Sequence, residues 1–559
     1  MTLIMTAVAL ALLAGMMSWS AGNARLAARS NEYTRAVAAA EAATEKINTR
    51  MASDYLNGGE LQVVANLNSY RATIPTGSDS SYWTNWEFND AQGNIGSTFV
   101  QQGAVSNYQV LTGAYAGLTG FASTYTVVSD ARELDAPQNV VAGVLEAVQL
   151  TRIPIFQFAM YSSGEMEVSC GQPFEVTGPV HANGPLYVEP DSALTFDSGV
   201  TAVGNIVLGR DPLDTRGALG GTVTYHIPPV SPVPPLTLPI GATNTPQAVR
   251  EIIEPPASPF ELPSSPIGSA RYYNQCDVLL IVSNTNFVCL SGLFNGFNTI
   301  ATNTQVALFV NTNSSFFDWR EHKTIFPINI NVGALATWST NSTNAIRTAL
   351  GNAPYSIYIY DKRTLPAGDL GAVRLTNGMQ LPPRGLTVAT ADPLYVQGHY
   401  NQPVAANLGT NITSTCLPAS LVADAITILS VNWSDGNSLN LLTSPTRNAA
   451  PTTVNAAILA GEMDTTLGHY SGGMENFPRF LESWTGRTFT YNGSMVKMFP
   501  SLYATNVWGQ TNVYNPPPRN WAYDINFNDP SKLPPLTPSL QVVSRSQWAT
   551  LAPNQTSAP

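Results

Sequence analysis

The sequence predicts an α+β chain, one long N-terminal helix followed by a large, mainly β body of solenoid or sandwich type. Residues 1–24 hold no charged side chain, and residues 1–57 hold no proline. After residue 60, short runs rich in Val, Ile, Leu, Thr and Tyr recur with Gly, Pro, Asn or Asp between them. That pattern is one of strands and turns, not of further long helices.

The helix comes first. From Met1 to Asn57, where Gly58 and Gly59 interrupt it, a helix would run about 85 Å. Residues 1–24 suffice to cross a bilayer, which takes about 20 apolar residues. Residues 25–57 are amphipathic. Arg25, Arg29, Glu32, Arg35, Glu41, Glu45, Lys46, Arg50 and Asp54 alternate with Leu26, Ala27, Val37, Ala40, Ala43 and Ile47. A cleaved secretory signal begins with a basic stretch, which is missing here. A simple anchor has no need of the alanine-rich extension.

These residues resemble a known family. Met1-Thr2-Leu3-Ile4 is similar to the processed N-terminus of type IV pilins and pseudopilins, and Ala38-Ala39-Ala40-Glu41-Ala42-Ala43 resembles a segment of PilX-like members. The resemblance covers roughly the first tenth of the chain. It implies a pilin-type helix that packs into a filament core, and numbering that starts after a removed leader. The implied core residues are Met1, Thr2, Leu3, Ile4, Met5, Leu10, Leu12, Leu13, Met16 and Met17. Met5 departs from the glutamate usual in the family, which fits a minor or tip subunit. Gly15 and Gly22 stand in place of the helix-loosening proline of many pilins. In the body, Arg271-Tyr-Tyr-Asn274, Leu386–Thr390, 423–430, 475–482 and 491–494 resemble large PilX-like proteins.

Composition narrows the function. Charged residues make up 11%, against roughly 25% in ordinary soluble domains. The net charge is −11 with no basic block, which excludes nucleic acid as a partner. With 559 residues the chain has room for two to four domains or one long repetitive one.

Six intervals follow: 1–57, the assembly helix; 58–152, a first layer; 153–226, a short-strand β-stack; 227–269, a proline-rich arm; 270–480, a β-rich domain; and 481–559, a proline- and aromatic-rich tail. In the first layer, Trp83–Phe88 and Thr98–Val100 read as a hairpin around Asn89–Asn94, a plain turn and not a calcium loop. Short helices are expected at Thr245–Glu254 and Asn344–Leu350. Pro185-Leu-Tyr-Val188 returns as Pro393-Leu-Tyr-Val396, which places residues 385–430 in the same stack.

Catalytic, cofactor and metal sites are not expected. His181, His226, His322, His399 and His469 are scattered, and neither a nucleophile elbow nor a phosphate loop occurs. Asp361, Asp369 and Asp392 lie in turn contexts, where capping explains them better than paired carboxylates of a glycosidase. Trp83, Trp86, Trp319 and Trp484 are candidates for sugar stacking, but core or rim roles are the commoner fate. Six Asn-x-Ser/Thr sequons (Asn313, Asn341, Asn411, Asn432, Asn492, Asn554) are near chance in so Asn-rich a chain. Cys276 and Cys289 flank a hairpin turning at Asn284-Thr285, and are either a disulfide or two isolated buried thiols. Cys170 and Cys416 are a weaker pair.

The expected function is a structural, non-enzymatic subunit of an extracellular, cell-surface filament, inserted in the inner membrane before assembly. Its partners would be copies of itself or related pilins, with surface glycans as a further candidate. The alternative is a membrane-anchored or tip subunit that binds or cleaves carbohydrate.

Overall fold

The computed structural model describes every residue except 104–106, 112, 242, 259, 342–344 and 558–559. It has the expected class, a long N-terminal helix and a large, mainly β body. The chain divides into two compact units, one of residues 1–109, 120–152 and 541–559, the other of residues 110–119 and 153–540.

In the first unit the helix Thr2–Ala65 breaks at Gly59, whose φ of 69° and ψ of −170° lie outside helical values. That left-handed φ suits glycine, so the Gly58-Gly59 stop read from the sequence marks a real kink. Ala36, Ala39, Ala40, Ala43, Ile47, Met51 and Tyr55 recur every three or four residues and are buried. They rest on a sheet ordered Trp86–Asn89, Thr119–Glu133, Val141–Pro154, Ser539–Leu551. The alanines meet Trp86, Phe88, Ala131, Ala142 and Val144; Ile47 to Tyr55 meet Val100, Tyr125, Val127, Val148 and Leu150. Small residues at one end let helix and sheet approach closely, and larger ones fill the space further along.

The expected hairpin around Asn89–Asn94 forms only at its turn, where Asn89 bridges Ile95 and Gly96 N donates to Phe88 O; Thr98–Val100 does not pair with Trp83–Phe88. Trp86–Asn89 and Phe99–Gln102 instead pair, one after the other, with Thr119–Glu133. A fifteen-residue strand offers an edge long enough for both. The connection is a turn in which the Asp90 carboxylate accepts the N–H groups of Gln92 and Asn94 at 2.9 Å and the Asn94 side chain at 2.8 Å.

The second unit is a solenoid, and the parallel pairing excludes a sandwich. Met160 pairs with Val180 and Val180 with Val200; Met166 pairs with Leu186 and Leu186 with Ile206; Phe174 pairs with Leu194. One coil is therefore twenty residues. Gly184 and Gly204 stack at one corner, where a Cβ would come within 2.7 Å of the backbone of the coil before. Only glycine fits there.

The sheet that holds Met160–Ser162 is much larger than these coils. Its parallel order is Val200–Ala202, Val180–Ala182, Met160–Ser162, Phe489–Phe499, Thr452–Gly461, Ala419–Ala423, Leu386–Thr390, Ser356–Asp361, Val278–Val282. The chain thus starts inside the stack, builds one way to Val200, and resumes at the far end with Val278. Bridging those strands spans about 38 Å at 4.8 Å per strand. The proline-rich arm makes that return. Val230 bridges to Thr201, Leu236 O accepts from Asn183 Nδ2 at 2.6 Å, and Ile253 O accepts from Tyr358 at 2.6 Å. Proline suits an extended path that lies on a stack without adding a strand to it.

The two Pro-Leu-Tyr-Val segments lie in different sheets, Leu186–Val188 with Met166–Val168 and Leu394–Gln397 with Leu370–Thr376 and Ile426–Leu429. Leu386–Thr390 and Ala419–Ala423 nevertheless share the sheet of Met160–Ser162. Within the arm a helix forms at Pro246–Arg250, capped by Thr245. Another spans Ala345–Leu350, while Asn344, the expected start, lies outside the described residues. The 481–559 interval contains the strands Phe489–Phe499, Arg519–Tyr523 and Ser539–Leu551. The first of these is buried at every position and central in its sheet.

Candidate assembly helix and the predicted sites

Residues 1–27 of the helix are exposed throughout. Among Met1, Leu3, Ile4, Met5, Leu10, Leu12, Leu13, Met16 and Met17 the least exposed, Leu13, is 55% accessible, and Thr2 is exposed as well. An 18-residue window here has a mean hydropathy of 1.8 with nothing buried. Exposed apolar side chains in a continuous patch of this size mark a surface that another molecule or a membrane covers. Nothing lies within 4 Å of the place a Cβ would take at Gly15 or Gly22, so neither glycine serves packing inside the chain.

Past Leu26 the helix is held by polar bonds as well as by apolar contact. Glu32 accepts the Gln138 N–H at 3.1 Å, and Arg35 pairs with Glu133 at 2.8 Å. Thr44 donates to Glu146 Oε1 at 2.6 Å and Asn48 to its Oε2 at 2.5 Å. Burial pushes the Glu146 carboxyl above its usual range. Carboxylate oxygens of Glu41, Glu45 and Glu146 lie within 4.8 Å of one another. Arg545 supplies the counter-charge, 2.5 Å from Glu45 and 3.9 Å from Glu146.

Of the two readings left open for the cysteines, the structure has the isolated thiols. All four cysteines are free thiols. The hairpin exists, Val278–Val282 against Phe287–Ser291, but its register sets Cys289 opposite Leu280 and not opposite Cys276. Cys276 lies before the strand begins and gives its S–H to Tyr273 O. Cys170 is buried, and Cys416 accepts from Asn455. Burial raises all four thiols, Cys170 and Cys289 to about 12 and Cys416 to about 11.

The tryptophans follow the core reading. Trp484 is fully buried and Trp86 nearly so; Trp83 and Trp319 are half-buried, with Trp319 donating to Ser438 O at 2.8 Å. His181 is buried between Thr201 Oγ1 and Asn183 Oδ1, each at 2.9 Å, and His399 Nδ1 accepts the Thr453 N–H at 3.1 Å. His226 pairs with Asp197 at 3.0 Å, and His322 with Gln510 at 2.8 Å.

The turn carboxylates are more organised than capping alone requires. Asp361 holds Arg363, and Asp369 sits in a turn closed by its own N–H to Pro366 O. Asp361, Asp392 and Asp424 end successive strands of one sheet, and stacking gathers them. Burial, then Asp361 and Asp424, raise Asp392 to about 7. The signal in the sequence is an acid within two residues of the end of each apolar run.

No known family profile matches the chain, and no curated protein matches it. Among solved structures, the competence-associated pilin ComZ from Thermus thermophilus aligns over 93% of this chain and 98% of its own, with 10% identity and a TM-score of 0.29. So slight a likeness leaves the description of the helix to stand on its own geometry.

Proposed function

We propose that the chain is a structural subunit of a pilus-like filament on the cell surface, without catalytic activity, assembled through residues 1–27. The single observation behind this reading is the uncovered apolar helix, continuous with a helix whose second half is built into a folded unit. In a membrane that segment is covered by lipid; once withdrawn from it, the segment finds equivalent cover in the same segment of other copies or of related subunits. Burial at roughly 25 cal/mol per Å² makes such helix clusters stable. Met5 offers no charge to set register, so packing sets it. The β body then coats the outside.

Removal of detergent from the full chain, followed by sedimentation, tests the reading. The wild type is expected to pellet as polymer. Leu10→Asp with Leu13→Asp, at positions that touch nothing in the folded units, is expected to stay in the supernatant with an unchanged melting temperature. Polymer formation by that variant to the wild-type extent would refute the role of the helix.

A further inference from the structure

The second unit contains two adjoining chambers. The larger, of about 610 Å³, is bounded by Gln172, Arg216, Tyr514 and Arg519 among others; the smaller, of about 70 Å³, by Arg320, Glu462 and Asp464. Tyr470, Asn476 and Trp508 belong to both walls.

Among the described residues, two of the cations here have no carboxylate within ion-pairing distance, although Glu321 and Glu462 lie near Arg320 and Glu475 near Arg519. Arg210 is paired with Glu189 and Asp214, and Arg216 with Asp214 while lying 3.4 Å over the Tyr470 ring. Arg479 is paired with Glu321. Arg519 instead donates to the neutral Asn476 Oδ1 at 3.0 Å, and its buried Nε has no partner. Arg320 is only 8% exposed, and among the described residues its guanidinium makes neither a hydrogen bond nor an ion pair. Burial and the neighbouring Arg479 lower Arg320 to about 10, which leaves it charged at neutral pH. A buried charge with no hydrogen-bonded partner is costly. A fold that keeps Arg320, and the half-buried Arg519, in that state beside cavities has a use for them.

The walls describe the missing partner. Guanidinium groups hold carboxylates through paired N–H bonds. The large chamber lies within the roughly 300–1,000 Å³ of small-molecule sites, and aromatic walls with a few polar groups are their usual lining. Asp191, Asp464 and Glu475 on the same walls would repel the dense charge of a polyphosphate far more than single carboxylates spaced one to a sugar. We infer that the two chambers form a binding site for an acidic oligosaccharide, with Arg519 holding one uronate carboxylate and Arg320 the next. This is independent of the assembly reading.

The test is calorimetric titration of the full chain in detergent with digalacturonate, cellobiose and inorganic phosphate. Digalacturonate is expected to bind, cellobiose at least tenfold more weakly. Arg519→Gln and Arg320→Met are each expected to weaken digalacturonate at least tenfold. Unliganded Arg320→Met should melt at or above the wild-type temperature, because it removes an unpaired buried charge. Equal affinity for cellobiose, phosphate binding as tightly as digalacturonate, or binding of none of the three would overturn the proposal. A lower melting temperature in Arg320→Met would overturn the role given to Arg320.

Discussion

Arg250, on the proline-rich arm, donates through Nη1 to Asp424 Oδ1 at 2.6 Å, at the end of the Ala419–Ala423 strand. Asp424 is fully buried and also accepts from Leu502 N at 2.7 Å and Tyr503 N at 3.2 Å. The pair fastens the arm halfway along its return. Arg250→Ala leaves a buried carboxylate short of its counter-charge, so a loss of about 3 kcal/mol is expected. Guanidinium unfolding with an unchanged m-value measures it; a midpoint equal to that of the wild type would show the arm to be fastened elsewhere.

The alanine face of the helix predicts an overpacking cost. Ala40 is fully buried among Trp86, Phe88 and Ala142. Ala40→Leu adds volume where helix and sheet approach closely, and is expected to destabilise the first unit by about 1–3 kcal/mol. Leu26→Ala, at an exposed position of the same helix, should leave the melting curve unmoved.

The helix–sheet hydrogen bonds can be read in the same way. Thr44→Val keeps shape but removes the donor to Glu146, at a cost of about 1–3 kcal/mol for a buried carboxylate left with one bond fewer. The double variant Thr44→Val, Glu146→Gln should recover part of that loss. If the effects of the two changes simply add, Thr44 and Glu146 are not coupled.

Stability should depend on pH in two opposite ways. Burial depresses His181 to about 4 from an ordinary value near 6.5. Between those values the unfolded chain binds a proton that the folded one refuses, so stability falls as pH drops from 6.5 to 4. Burial raises Glu462 to about 7. There the folded chain binds the extra proton, so stability falls as pH rises from about 4.5 to 7. His181→Gln is expected to make the first slope shallower, with His399 keeping a share, and Glu462→Gln the second, which Asp392 also carries, each measured by melting temperature across the range. An unaltered slope in either variant would contradict the assignment.

The sequence showed the helix and the site of its kink, though not its continuation to Ala65, because absent charge, absent proline and a glycine pair act locally. It also showed the short-strand stack at 153–226, since small residues punctuate it at each corner. Sheet membership was hidden. Met160–Ser162 joins Phe489–Phe499, more than 300 residues later, and no local signal encodes that pairing. The same long-range stacking brings Asp424 into line with Asp361 and Asp392, two residues that looked like separate turn caps. Cys276 and Cys289 stayed undecided in the sequence because spacing around a turn does not fix register; Leu280 occupies the position opposite Cys289. Arg320 and Arg519 had no signal in the sequence, since an unpaired charge is visible only once its surroundings are folded.

The boundary of the apolar segment fixes the decisive experiment. Residues from Glu32 onward are built into the first unit, so a cut further along would destroy that unit as well as the apolar segment. A chain beginning at Arg25 removes the uncharged segment and leaves the buried face whole. Negative-stain microscopy of the full chain and of this shortened chain, both after detergent removal, compares them directly. The account predicts regular decorated filaments from the full chain, and dispersed particles of unchanged melting temperature from the shortened one. Filaments from the chain beginning at Arg25, or dispersed monomers from the full chain, would contradict it.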